Sequence, residues 1–150
     1  MTGAVPRTPA RGLCHDCSMA STTAMTWTTV TLDCSDAEAL GAFYADLLGW
    51  EITARDGKGW VQSRDPRGGV GLNFQTDDCY GRPTWPEQPG QQGKMMHFEI
   101  LVEDLDAAVD QVIRAGGSEA PHQPADRDRR RIRVMLDPAA HPFCLFMPGE

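Results

Sequence analysis

The sequence predicts an α+β fold built from two βαβββ modules in a single domain, and three observations predict it. A strand-to-helix segment occurs twice, as "TVTLDCSDAEALGAFYADLLGW" from Thr29 and as "HFEILVEDLDAAVDQVIRAGGS" from His97. In each copy, strand-like alternation gives way to helical spacing behind an aspartate. The same number of residues separates that aspartate from a closing glycine, Asp36 from Gly49 and Asp104 from Gly117. Three short strand candidates follow each helix, and the last is preceded by an Asp-Pro turn, "RDPRGG" in the first half and "DPAAHP" in the second.

Residues 1–25 are rich in Pro, Thr, Ser, Ala and Gly without apolar periodicity, so they are expected to form a disordered tail, with Met19 and Met25 as alternative starts. The tail has no apolar stretch of the kind a secretory signal needs. Its "CHDC" places Cys14, His15 and Cys17 together, which is half a zinc site without a second pair. Residues 26–150 are then the domain, with modules over about 27–76 and 95–147.

On the first strand Val30, Leu32 and Cys34 alternate toward the helix and leave Thr29, Thr31 and Asp33 on the other face. The first helix has Asp36 as its cap, Ala37, Leu40, Phe43, Tyr44, Leu47 and Leu48 on one face, and Gly49 as its stop. "WEITAR", "GWVQSR" and "GVGLNFQ" supply the next strands; in the last, Leu72 and Phe74 go under the helix while Asn73 and Gln75 point away. In the second module the strand begins at His97, with His97, Glu99 and Leu101 on the face away from the helix. Its helix starts at Asp104, buries Leu105, Ala108, Val109 and Val112, and stops at Gly116 and Gly117. "SEAPHQ" is a weak strand, "RRIRVML" and "FCLFM" are strong ones, and Cys144 and Phe146 share the face opposite Phe143 and Leu145. Trp27 and Trp50 are assigned to core and strand ends. Each sheet covers one face with its helix, so the other face must bury itself or enclose something.

Composition limits the function classes. The 150 residues are 41% hydrophobic and 23% charged, within the soluble globular range, and no apolar run is long enough for a membrane helix. A net charge of -7 argues against nucleic-acid binding, and the basic run "RDRRRIR" has no aromatic residues for base stacking and reads as a solvated loop or strand edge. Cys34, Cys79 and Cys144 are scattered, so reduced thiols in a cytoplasmic protein are expected.

The doubled module, the helix end "FYADLLGW", the Asp-Pro turns, the closing "DPAAHPFCLF" and "RPTWPE" at 82–87 together resemble the vicinal oxygen chelate superfamily. More narrowly, they resemble its glyoxalase-like domain proteins, of the kind common in actinobacteria, over about residues 27–147. The resemblance implies an open barrel of two modules, the glyoxalase/bleomycin resistance/dioxygenase fold. It also implies a concave site, often around one divalent metal, and pairing into homodimers in its drug-sequestering members.

The four positions at which metal-dependent relatives keep ligands correspond here to Thr29, Asn73, His97 and Cys144, with Leu72 as a one-residue alternative to Asn73. That set offers two donors at most, where a divalent ion needs three or more. A degenerate metal site with no cofactor is therefore the expected state; a soft ion on His97 and Cys144 would need Asp33 or Glu99 to swing in. His97, Glu99 and Asp33 are the candidates for metal-free proton transfer, against a reading in which the carboxylates only balance charge. Thr29, Thr31, Asn73, Gln75, Trp85, Cys144 and Phe146 are the candidate ligand contacts. Trp85 lies in the long connector 76–94 and either closes over a ligand or ties the connector down. Trp60 and Tyr80 add apolar surface, His141 reads as a turn residue, and His122 carries no clear signal.

Two function classes stay open. One is a lyase, isomerase or dioxygenase of glyoxalase type; the other is a non-catalytic small-molecule binder. The absence of a GxSxG elbow disfavours a hydrolase, and methylglyoxal–glutathione chemistry depends on a metal to polarise its substrate.

Overall fold

The computed structural model describes residues 24–149. The expected disordered tail, apart from its last two residues, and the "CHDC" cluster lie outside the described residues.

The first module runs β1 (Thr29–Cys34), α1 (Ala37–Leu48), β2 (Glu51–Asp56), β3 (Trp60–Arg64) and β4 (Gly71–Thr76). The second runs β5 (Glu99–Leu101), α2 (Leu105–Ala115), β6 (Ser118–Glu119), β7 (Ile132–Leu136) and β8 (Pro142–Phe146). Each module forms one four-stranded mixed sheet, ordered β1-β4-β3-β2 and β5-β8-β7-β6, with a parallel pair at one edge. The duplicated α+β architecture is therefore the one the repeat implies, and the two sheets remain unclosed.

Local chemistry sets the helix ends. Asp36 and Asp104 are the N-caps, their carboxylates accepting from Ala39 N and Ala107 N at 3.0 Å. Both helices end on glycines in the left-handed region, Gly49 at φ 65° and Gly116 at φ 104°. Of the two glycines expected to end the second helix, Gly116 is thus the cap.

Four expectations need correction. β5 begins at Glu99 and not at His97, although Phe98 O already accepts from Cys144 N at 2.8 Å. "SEAPHQ" yields only the two-residue β6, because Pro121 and the turns after it leave little backbone to pair. Trp27 is 73% exposed and not in the core, while Trp50 packs partly buried against it. Leu72 belongs to the core at 7% exposure, which removes it as an inward-facing alternative to Asn73.

One core unites the modules. Tyr44 of α1 is fully buried; it stacks on Phe74 of the first sheet at 5.5 Å and meets Phe98 and Phe143 of the second at 5.8 and 6.3 Å. Phe43 adds an edge contact to Phe143, and Gln111 of α2 donates to Leu47 O at 2.9 Å. Because each buried aromatic or aliphatic side chain contributes about 1.5–3 kcal/mol, the apolar stripe of α1 binds the second module as well as its own sheet.

Candidate functional site

The faces turned away from the helices differ in chemistry. On the first sheet, strand register sets Thr31, Asn73 and Gln62 side by side. Thr53 Oγ1 donates to Gln62 Oε1 at 3.1 Å, Gln62 Nε2 to Asn73 Oδ1 at 3.2 Å, and Asn73 Nδ2 to Thr31 Oγ1 at 3.4 Å. Asn73, expected to orient a ligand, lies in the middle of this cross-strand ladder, which engages one of its amide hydrogens and one acceptor site on its oxygen. Gln75 lies in the next row, in register with Asp33 and Trp60, and Thr29 pairs with Gly71 one step before Asn73. Thr29, Asn73 and Gln75 border neither of the two clefts described next.

On the second sheet Glu99, Cys144 and Val134 form one row and Leu101, Phe146 and Ile132 the next. A cleft of about 320 Å³ is lined there by Ile132, Val134, Phe143 and Cys144, with His97, Glu99, Arg127 and Trp85 around it. Phe146 sits beside Ile132 without lining it. The Trp85 indole N–H donates to His122 O at 2.9 Å, which pins the connector to the loop before β7. Lys94 Nζ lies 4.6 Å from the Trp85 ring centroid and is paired with Glu87, so its charge is already balanced. Trp85 thus ties the connector down and also borders the cleft.

A second cleft, of about 310 Å³, lies between the modules and is bordered by Thr31, Asp33, Tyr80, Met96 and His141. Lys94, His97 and Pro142 border both clefts, which are thus adjacent compartments. The acid–base candidates are divided between them. His97 Nε2 is 3.7 Å from Glu99 Oε1, too far for a hydrogen bond, and Asp33 borders the inter-module cleft while Glu99 borders the other.

Of the four positions implied for a metal, only His97 and Cys144 meet in one cleft. Burial first, then the charge of Glu99, pushes the Cys144 thiol up, with Arg127 and Lys94 opposing. Among the described residues no three His, Cys, Asp or Glu side chains stand close enough to hold an ion. The described residues do not fit a tightly held divalent cation.

Sequence reasoning missed one polar network. Asp137 Oδ1 accepts from Ala139 N and His141 N, both at 2.9 Å. Asp137 Oδ2 takes Tyr44 Oη at 3.0 Å and His141 Nδ1 at 2.8 Å. His141 Nε2 is 3.0 Å from Tyr80 Oη, which also donates to Ala139 O at 2.8 Å. The Asp-Pro turn was visible as a fold motif; its partners come from α1 and the connector, and no local pattern announces them.

The comparisons with known proteins agree with this architecture. A possible glyoxalase from Bacillus cereus superposes with a TM-score of 0.57 at 16% identity, covering 82% of this chain and 99% of its own. A glyoxalase/bleomycin resistance protein/dioxygenase family enzyme from Burkholderia phytofirmans PsJN gives 0.57 at 20% identity, covering 80% and 96%. A bleomycin-binding protein from Streptomyces verticillus, complexed with copper(II)-bleomycin, gives 0.50 at 20% identity, covering 85% and 100%. No curated protein matches the sequence. No helix among the described residues is long and apolar enough to cross a membrane. The glyoxalase-like domain model matches residues 29–146, the span of both modules, and with the paired βαβββ sheets it establishes that this chain belongs to the glyoxalase-like domain family.

Proposed function

We propose that the protein is a cytoplasmic binder of a small organic molecule, held in the cleft on the second sheet without a divalent metal. The observation that carries this reading is the cleft itself: an apolar lining of Ile132, Val134 and Phe143, a tryptophan fixed by its own hydrogen bond, and His97, Glu99 and Arg127 at its border. Flat apolar ligands suit Trp85, and the three polar groups orient an oxygenated end. The volume of about 320 Å³ is at the small end of ligand sites, and the adjoining compartment behind His97 extends it. A protein of the same fold that binds copper(II)-bleomycin is a precedent for holding an organic ligand in this architecture.

His97 beside Glu99 supports a second reading, a metal-free isomerase or lyase in which the imidazole exchanges a proton with the ligand. Metal analysis joined to a thermal-shift screen of oxygenated aromatic metabolites and apolar drugs tests both. Binding without turnover, weakened more than about tenfold by Trp85→Ala, is the expected outcome. Stoichiometric metal that is lost in His97→Ala would overturn the metal-free reading, and turnover abolished by the same variant would favour the enzyme.

A further inference from the structure

We propose that His141 and Tyr80 form a proton-operated clasp: uptake of a proton by His141 tightens the inter-module connector onto the second module. Three donors, Tyr44 Oη, Ala139 N and His141 N, converge on Asp137, and because a carboxylate only accepts, the 2.8 Å contact of His141 Nδ1 with Oδ2 is a hydrogen bond when Nδ1 carries the proton. The remaining ring nitrogen, Nε2, faces Tyr80 Oη at 3.0 Å, and Tyr80 Oη also lies 2.8 Å from Ala139 O. When the imidazole is neutral, the single phenol proton serves two acceptors, and one contact is left without a hydrogen. When Nε2 is protonated, it donates to Tyr80 while Tyr80 donates to Ala139, and both contacts are complete.

Proton exchange is available because the His141 side chain is 19% exposed and borders the inter-module cleft. Asp137 is 3% exposed, so the charge gained by His141 is met by a sheltered carboxylate. Tyr80 keeps its proton throughout: burial first, then Asp137, pushes its phenol well up. Asp33 and Cys34 of β1 and Arg82 of the connector act on Tyr80 through space, and Asp77, Lys94 and His97 border the same cleft. Among the described residues only Asp137 and Tyr80 hydrogen-bond the imidazole. The connector that Tyr80 anchors also carries Trp85, so the clasp sits upstream of the proposed ligand wall, yet it can be tested with no ligand present.

The test is amide hydrogen exchange at Tyr80 and Gly81 between about pH 5 and 8, the interval in which histidines change charge, corrected for intrinsic rates, with His141 followed by nitrogen NMR. Protection is expected to rise about fivefold as the pH falls, the worth of one net hydrogen bond, with the midpoint of the His141 titration. Tyr80→Phe should abolish that dependence while His141 still titrates, and His141→Gln should abolish both. His97→Asn should retain it, since that ring lines the same cleft outside the clasp. Protection that does not track His141, or a Tyr80→Phe protein with the wild-type dependence, would overturn the proposal.

Discussion

Tyr44 on α1 donates its hydroxyl to Asp137 Oδ2 across 3.0 Å, so the helix of one module hydrogen-bonds the turn that opens the last strand of the other. Both groups are buried, at 0% and 3% exposure, and the same oxygen holds His141. The bond therefore sets the relative position of the modules as well as the stability of the turn.

Tyr44→Phe keeps the ring contacts with Phe74, Phe98 and Phe143 and removes only this donor. A hydrogen bond to a charged group in a buried setting makes the expected loss about 1.5–3 kcal/mol in urea unfolding. A change below about 0.5 kcal/mol would mean that solvent or another donor replaces the phenol.

Alkaline pH should unfold the protein through its tyrosines. Burial first, then the charge of Asp137, holds the Tyr44 phenol well above the ordinary range, and burial does the same for Tyr80. The unfolded chain releases these protons near pH ~10 while the fold retains them, so the stability they contribute is complete below that value and is lost as the pH rises above it. The chain has two tyrosines, so phenolate absorbance reports on both. It is expected to appear together with the loss of circular dichroism; phenolate formed near pH ~10 in an intact fold would contradict the account.

The described cysteines should differ in reactivity. Cys34 is 1% exposed, its thiol is pushed up to about 11 chiefly by burial, and its Sγ–H donates to Gln75 O at 3.5 Å. Cys79 is exposed. Peptide mapping after brief iodoacetamide treatment at neutral pH should show Cys79 modified more than about tenfold faster than Cys34. Equal rates would mean that the region around β1 opens readily.

Gly117→Ala should strain the module junction. An added Cβ would stand 2.7 Å from Val112 Cγ1, 2.9 Å from Leu136 O and 3.1 Å from Phe43 Cε2. A backbone carbonyl cannot swing aside as a side chain can, so a loss of about 1–3 kcal/mol in thermal or urea unfolding is expected.

Much of the fold is legible in the sequence. Capping aspartates and left-handed glycines are local devices, which is why Asp36, Gly49 and Asp104 bounded their helices correctly. Gly117 marks the limit of that reasoning. Of the two glycines expected to end the second helix, Gly116 is the left-handed cap, while at Gly117 it is Val112, the Leu136 carbonyl and Phe43 of the other module that leave no room for a Cβ.

The candidate site was less legible for the same reason. Alternation along a strand decides which face a side chain takes, and it put Glu99 and Cys144 on one face, where they are paired in register. It does not decide what the side chain meets there. Asn73 was turned to the expected face and there bonded to Gln62 and Thr31, while His141, which looked like a simple turn residue, was joined to Asp137, Tyr80 and the inter-module cleft. The sequence by itself determined the duplicated plan and the faces of its strands, because capping and period-two alternation act between near neighbours. Which polar groups are free for a ligand was decided only by tertiary structure, because that depends on hydrogen-bond partners such as Tyr44 and Asp137, brought together from opposite modules by a shared aromatic core.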